Sequence, residues 1–153
     1  MPTRPHRVFV SFDFDNDRRL RQFIIGQARL PDSPFEMADW SLKEALPKRN
    51  WQVKARERIR RSDSVLVILG PYTHRALGVL KEVRMARRMG KPIFQVVGYR
   101  DSRPRFVANA GRVYRWNWVN LKRLLPPVPF VDSRLKGDIF RTRNPFRQSR
   151  RFL

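Results

Sequence analysis

The stretch Asp63-Ser64-Val65-Leu66-Val67-Ile68-Leu69-Gly70-Pro71 decides the fold. Its aliphatic run from Val65 to Leu69 shows no polar alternation. It therefore reads as a strand with both faces buried, as in the middle of a parallel sheet. Gly70-Pro71 ends it. Upstream, Arg7-Val8-Phe9-Val10-Ser11-Phe12 is a β-branched and aromatic run of the same kind, and downstream Pro92 to Val97 is another. Phe35 to Trp40 reads as a short strand after the turn-forming Pro31-Asp32-Ser33-Pro34, and Arg112 to Trp116 as the last.

Helical spacing fills the gaps between these runs. Leu20, Phe23, Ile24 and Ala28 mark one amphipathic helix, and the acidic break Asp13 to Asp17 in front of it can cap it. Trp51, Ala55 and Ile59 mark a second helix. A third spans about Arg75 to Met89, with Ala76, Val79, Val83 and Ala86 on one stripe, and Gly90 stops it in the C′ manner. A short fourth covers Trp118 to Leu124. Strands alternating with helices through short connections mean an α/β protein with a five-stranded parallel sheet and helices on both faces. Five strands in so short a chain suit the flavodoxin-like order 2-1-3-4-5. Residues 1–128 form that domain, and residues 129–153 read as a basic, extended or disordered extension. In such sheets ligands bind beyond the carboxyl ends of the strands, which points to the loops after Val10, Leu69 and Val97.

Composition removes several chemistries. The 153 residues include no cysteine and only two histidines, His6 and His74. Disulfide frameworks, thiolate metal sites and thiol catalysis are excluded, and a His-based metal cluster is improbable. No apolar run approaches the roughly 18 residues of a membrane span, so a soluble, cytoplasmic protein is expected. Neither G-x-G-x-x-G nor G-x-x-x-x-G-K-[ST] occurs, which disfavours Rossmann dinucleotide and P-loop functions. Asp13, Asp15 and Asp17 could hold Mg²⁺ as a receiver domain does, but Leu69-Gly70-Pro71 offers no phosphoacceptor aspartate.

The formal charge is +21, from 34 Lys+Arg against 13 Asp+Glu. It is spread along the chain, and only 7 of the basic residues lie in Phe130 to Leu153. Such a field favours polyanions and phosphorylated small molecules, while solvated arginines on every exposed face are the plainer reading. Trp116, Trp118 and Tyr114 interleaved with Arg112 and Arg115 hint at nucleic-acid contact, but such aromatics are more often core residues closing the sheet. Among only four glutamates, Glu82 sits in the second turn of the third helix. At about 100° per residue it borders the apolar stripe, where burial at a cleft mouth is possible. An exposed pairing with Arg75, Arg84 or Arg88 is the alternative.

Ala38-Asp39-Trp40-Ser41-Leu42, then Asp63 to Gly70, Thr73, and Val79-Leu80-Lys81-Glu82-Val83 together resemble the TIR-like domains of bacteria. The resemblance is to the flavodoxin-like TIR subfamily that includes the sensor proteins of Thoeris antiphage defence. Val8-Phe9-Val10-Ser11-Phe12 is similar to that family's first strand, and Gly90-Lys91-Pro92-Ile93 to the approach to its fourth. The likeness covers roughly residues 6 to 125. It implies cleavage of the N-glycosidic bond of NAD⁺, as substrate and not as cofactor, by a glycohydrolase or an ADP-ribose cyclase, with no metal required. It also implies that Glu82 is the functional carboxylate and that Ser11, Phe12, Asp39, Trp40 and Ser41 line the nucleotide pocket. A carboxylate near the departing nicotinamide stabilises an oxocarbenium-like ribosyl centre. Self-association and a separate effector that reads the product are further implications. One position departs from the pattern: Gly78 stands where relatives commonly carry Trp or another large residue. Two other functions remain beside this one, a nucleoside 2-deoxyribosyltransferase-like enzyme and a catalytically silent interaction or nucleic-acid-binding module.

Overall fold

The computed structural model describes residues 2–37 and 48–130. Five parallel strands form the central sheet: β2 (His6–Ser11), β3 (Phe35–Met37), β4 (Ser64–Leu69), β5 (Ile93–Val97) and β6 (Val113–Arg115). Their spatial order is β3-β2-β4-β5-β6, which is 2-1-3-4-5 when only the strands of this sheet are counted. β4 is buried at all six positions because β2 and β5 flank it and helices cover both its faces.

The period of two along each strand sorts the core into its two sides. Val8, Val10, Leu66 and Ile68 point to one face, where they pack on Leu20 and Ile24 of α1 (Arg18–Ala28) and Leu121 of α4 (Trp118–Leu124). Phe9 and Val65 point to the other, against Ala55 and Ile59 of α2 (Lys48–Arg61) and Met85 and Ala86 of α3 (Leu77–Arg88). Val67 and Leu69 continue that second face onto Val79 and Val83 of α3. α3 closes at Gly90, whose φ of +67° is the left-handed conformation expected of a C′ glycine.

Three features differ from what spacing predicts. Phe23 belongs to the apolar stripe of α1 by periodicity, yet it is 65% exposed. Asp17 precedes α1, but its carboxylate makes no capping bond and is directed elsewhere. β5 contains a polar residue that is fully enclosed: Gln95 is 1% exposed. Its amide donates to the carbonyls of Val107 and Gly111, at 3.1 and 2.8 Å, and its Oε1 accepts from the Val107 N–H at 2.8 Å. These bonds pin the long β5–β6 connection, which carries no helix between its two strands.

The chain ends of the domain are also joined. β1 (Thr3–Arg4) pairs antiparallel with β7 (Val128–Pro129), and the Phe130 N–H donates to the Pro2 carbonyl at 3.0 Å. The described backbone runs to Phe130; residues 131–153 lie outside the described residues. Two-residue strands carry no periodicity, so nothing in the sequence announces them. His6 reinforces the junction, with Nδ1 3.0 Å from the Pro126 carbonyl and Nε2 2.8 Å from the Ser64 hydroxyl. No helix among the described residues is long and apolar enough to cross a membrane.

Candidate functional site

Ser11 is the last residue of β2 and faces the α2–α3 side of the sheet. Glu82, in the second turn of α3, faces back toward it. The Ser11 hydroxyl donates to the Glu82 carboxylate at 2.5 Å, a length that suits a hydroxyl bonded to a carboxylate. Both residues are 0% exposed. The spacing that put Glu82 at the stripe's border thus undersells its burial, and the pairing with exposed arginines is overturned. Helical periodicity cannot foresee this, because the neighbouring strand supplies the hydroxyl that makes a carboxylate acceptable inside.

A cavity of about 420 Å³ lies at the carboxyl ends of β2 and β4, lined by Phe12, the residue after Ser11, and by the first turn of α3. Phe12 and Phe14 supply one wall, with ring centroids 6.1 Å apart. Trp51 of α2, Tyr72 and Arg75 supply others, and the Arg75 guanidinium lies 4.6 Å from the centre of the Tyr72 ring. Gly78 and Val79, one helical turn before Glu82, form its floor. A Cβ placed on Gly78 would lie 3.6 Å from the Trp51 ring, in ordinary contact. The Trp51 ring of α2 therefore packs over position 78. The N-terminus of α3 opens here with no acidic residue in its first turn and no side-chain cap. Its partial positive charge, together with Arg75, suits an anionic group.

The acidic loop after β2 is used structurally. Asp13 is 6% exposed, and its carboxylate accepts from the Asn16 amide at 2.6 Å and the Asp15 N–H at 3.2 Å. Asp17 accepts from the Tyr99 hydroxyl at 2.7 Å and lies 3.5 Å from the Thr73 hydroxyl, which in turn accepts from the Gly70 N–H at 2.7 Å. Burial pushes the Asp17 carboxyl up from the usual carboxylate range, with the Tyr99 bond opposing that shift. The Tyr99 phenol is pushed up to about 12 by burial and by the bond to Asp17. Asp13, Asp15 and Asp17 do not converge. Among the described residues no group of three His, Asp or Glu side chains could hold a metal ion.

Of the residues singled out from sequence, Ser11, Phe12 and Glu82 come together at the switch point between β2 and β4. Phe12 lines the cavity, while Ser11 and Glu82 are fully buried and are not among its lining residues. Asp39, Trp40 and Ser41 lie outside the described residues. Spacing missed Trp51, Tyr72 and Arg75. Trp51 was legible only as a core position of α2, and the other two sit in a loop without periodicity.

A family model described as "Thoeris protein ThsB, TIR-like domain" matches residues 9–102, well over half of the chain. The match runs from β2 past β5 and includes Ser11, Phe12, Trp51 and Glu82. No curated protein matches the chain.

Proposed function

The chain belongs to the TIR-like domain family of the Thoeris protein ThsB, and from that premise we propose that it cleaves the N-glycosidic bond of NAD⁺ and releases a nucleotide signal in antiphage defence. The observation that carries this reading is the buried Ser11–Glu82 pair at the switch point, whose sequence neighbours Phe12 and Val79 line an aromatic and cationic cavity. Glu82 is the carboxylate that holds the ribose and stabilises positive charge at its anomeric carbon as nicotinamide leaves. Ser11 is a positioning residue, fixing the carboxylate through its hydroxyl. Phe12, Phe14, Trp51 and Tyr72 offer faces on which a nicotinamide or adenine ring stacks, and Arg75 with the α3 N-terminus takes the pyrophosphate. Substrate entry requires an opening to Glu82, which self-association or a trigger would supply. A separate effector would then read the product.

The test is NAD⁺ consumption by the purified full chain, with and without infected-cell extract, against Glu82→Gln. Turnover falling at least about 100-fold in the variant, with nucleotide affinity retained, supports the assignment. Equal turnover removes Glu82 from the mechanism. Base exchange between deoxynucleosides in place of NAD⁺ cleavage would move the protein to the deoxyribosyltransferase class.

A further inference from the structure

A second and larger cavity opens on the opposite side of the sheet's carboxyl edge, where the loop after β5 meets the end of β6 and α1. Its volume is about 980 Å³, and none of its lining residues lines the first cavity. Three arginines, Arg100, Arg103 and Arg115, project into its wall against a single acid, Asp101. Among the described residues these three guanidiniums make no ion pair. Three cations gathered with one carboxylate leave an excess of positive charge, and an anion entering the groove relieves their repulsion.

Trp116, Tyr99 and Phe23 add aromatic surface to the wall, and the first two are held by hydrogen bonds. The Trp116 indole N–H donates to Gln27 Oε1 at 2.7 Å, which sets the plane of the ring. Tyr99 is held by its bond to Asp17. At the lip stands Phe23, the residue that α1's periodicity assigns to the core and that the fold leaves 65% exposed. An exposed phenyl ring beside an ordered indole and three unpaired arginines matches a ligand with one planar apolar part and one anionic part. Its size fits a single small molecule.

We propose that this groove is a second binding site, separate from the Glu82 cavity, for a phosphorylated mononucleotide whose base stacks on Trp116 and Phe23 and whose phosphates engage Arg100, Arg103 and Arg115. It does not depend on the NAD⁺-cleaving reading, because none of its residues takes part in that chemistry.

The probe is ADP, titrated calorimetrically into the full chain at low ionic strength, with adenosine and inorganic pyrophosphate as the two half-ligands. ADP binds with a stoichiometric component that Arg103→Ala/Arg115→Ala weakens by at least about tenfold. Phe23→Ser, a change at an exposed position that leaves the core untouched, weakens the same component and quenches less tryptophan emission. Arg75→Ala, in the other cavity, leaves this component in place. The proposal is overturned if ADP shows no binding in the millimolar range, or if its affinity responds to Arg75→Ala alone. It is equally overturned if a ten-nucleotide single strand binds through these arginines while ADP does not, since the groove would then belong to a polynucleotide track.

Discussion

Ser11 reaches Glu82 across 71 residues of sequence, from the end of one parallel strand to the second turn of the helix that leaves its neighbour. Neither residue is accessible to water, and the bond between them gives each a polar contact inside the fold. Ser11→Ala removes a donor from a buried carboxylate and is expected to lower stability by about 1–3 kcal/mol. Urea denaturation measures that loss. If Ser11 positions the carboxylate as proposed, Ser11→Thr restores NAD⁺ turnover more than stability. An unchanged urea midpoint in Ser11→Ala would show that the hydroxyl contributes nothing.

Gly70 is required for a close approach. A Cβ at this position would lie 2.0 Å from an oxygen of Asp17, so Gly70→Ala forces the carboxylate away from Tyr99 and Thr73. Overpacking of this kind costs about 1–3 kcal/mol. The double variant Gly70→Ala/Asp17→Ala is expected to be less destabilised than the two single changes added together. Simple additivity in thermal or urea unfolding would refute the contact.

Gln95 anchors the loop that builds the arginine-lined groove. Gln95→Leu keeps the volume but leaves the Val107 N–H without its acceptor and releases the Gly111 carbonyl. Each buried group so stranded costs about 1–3 kcal/mol. Hydrogen exchange at Val107 is the direct readout, and it should accelerate before exchange in β4 does.

His6 makes stability depend on pH. Burial lowers its pKa below the ordinary value of 6.5. Above that value the ring is neutral in both folded and unfolded chains, so nothing changes. As pH falls below 6.5 the unfolded chain takes up a proton that the folded one resists, and stability drops until the folded pKa is passed. Asp63 acts lower on the scale, because its bond to Arg4 holds its carboxyl below the usual 3.8. Its stabilising effect is complete above 3.8 and is lost as pH falls through the folded value. Asp17 has the opposite sign: its raised pKa makes its contribution larger on the acid side and lost as pH rises through the folded value. Unfolding midpoints from pH 8 to 5 should fall in the parent chain and flatten in His6→Gln. An identical slope in the variant would place the effect elsewhere.

The sheet was legible because its code is local. A run such as Val65 to Leu69 has one comfortable environment, and the alternation of such runs with helical stripes leaves few topologies. Glu82 could be picked out as a border position on α3, and the family resemblance singled out Ser11 and Phe12 beside it. Phe23, Asp17 and Gln95 could not be read this way. Each occupies a position whose local pattern says core, cap or apolar strand. Asp17 and Gln95 are reassigned by partners distant in sequence, and Phe23 is left exposed at the groove.

By itself, then, the sequence determined the five strands of the central sheet, the helices between them, their order and the rarity that makes Glu82 conspicuous, since hydrophobic periodicity and composition are properties of short windows. Only the tertiary structure decided that Glu82 is enclosed with Ser11, that Trp51 fills the space over Gly78, and that three arginines gather with Phe23 around an open groove. Those outcomes depend on distances between segments tens of residues apart. Packing in three dimensions sets such distances, and no local pattern encodes them.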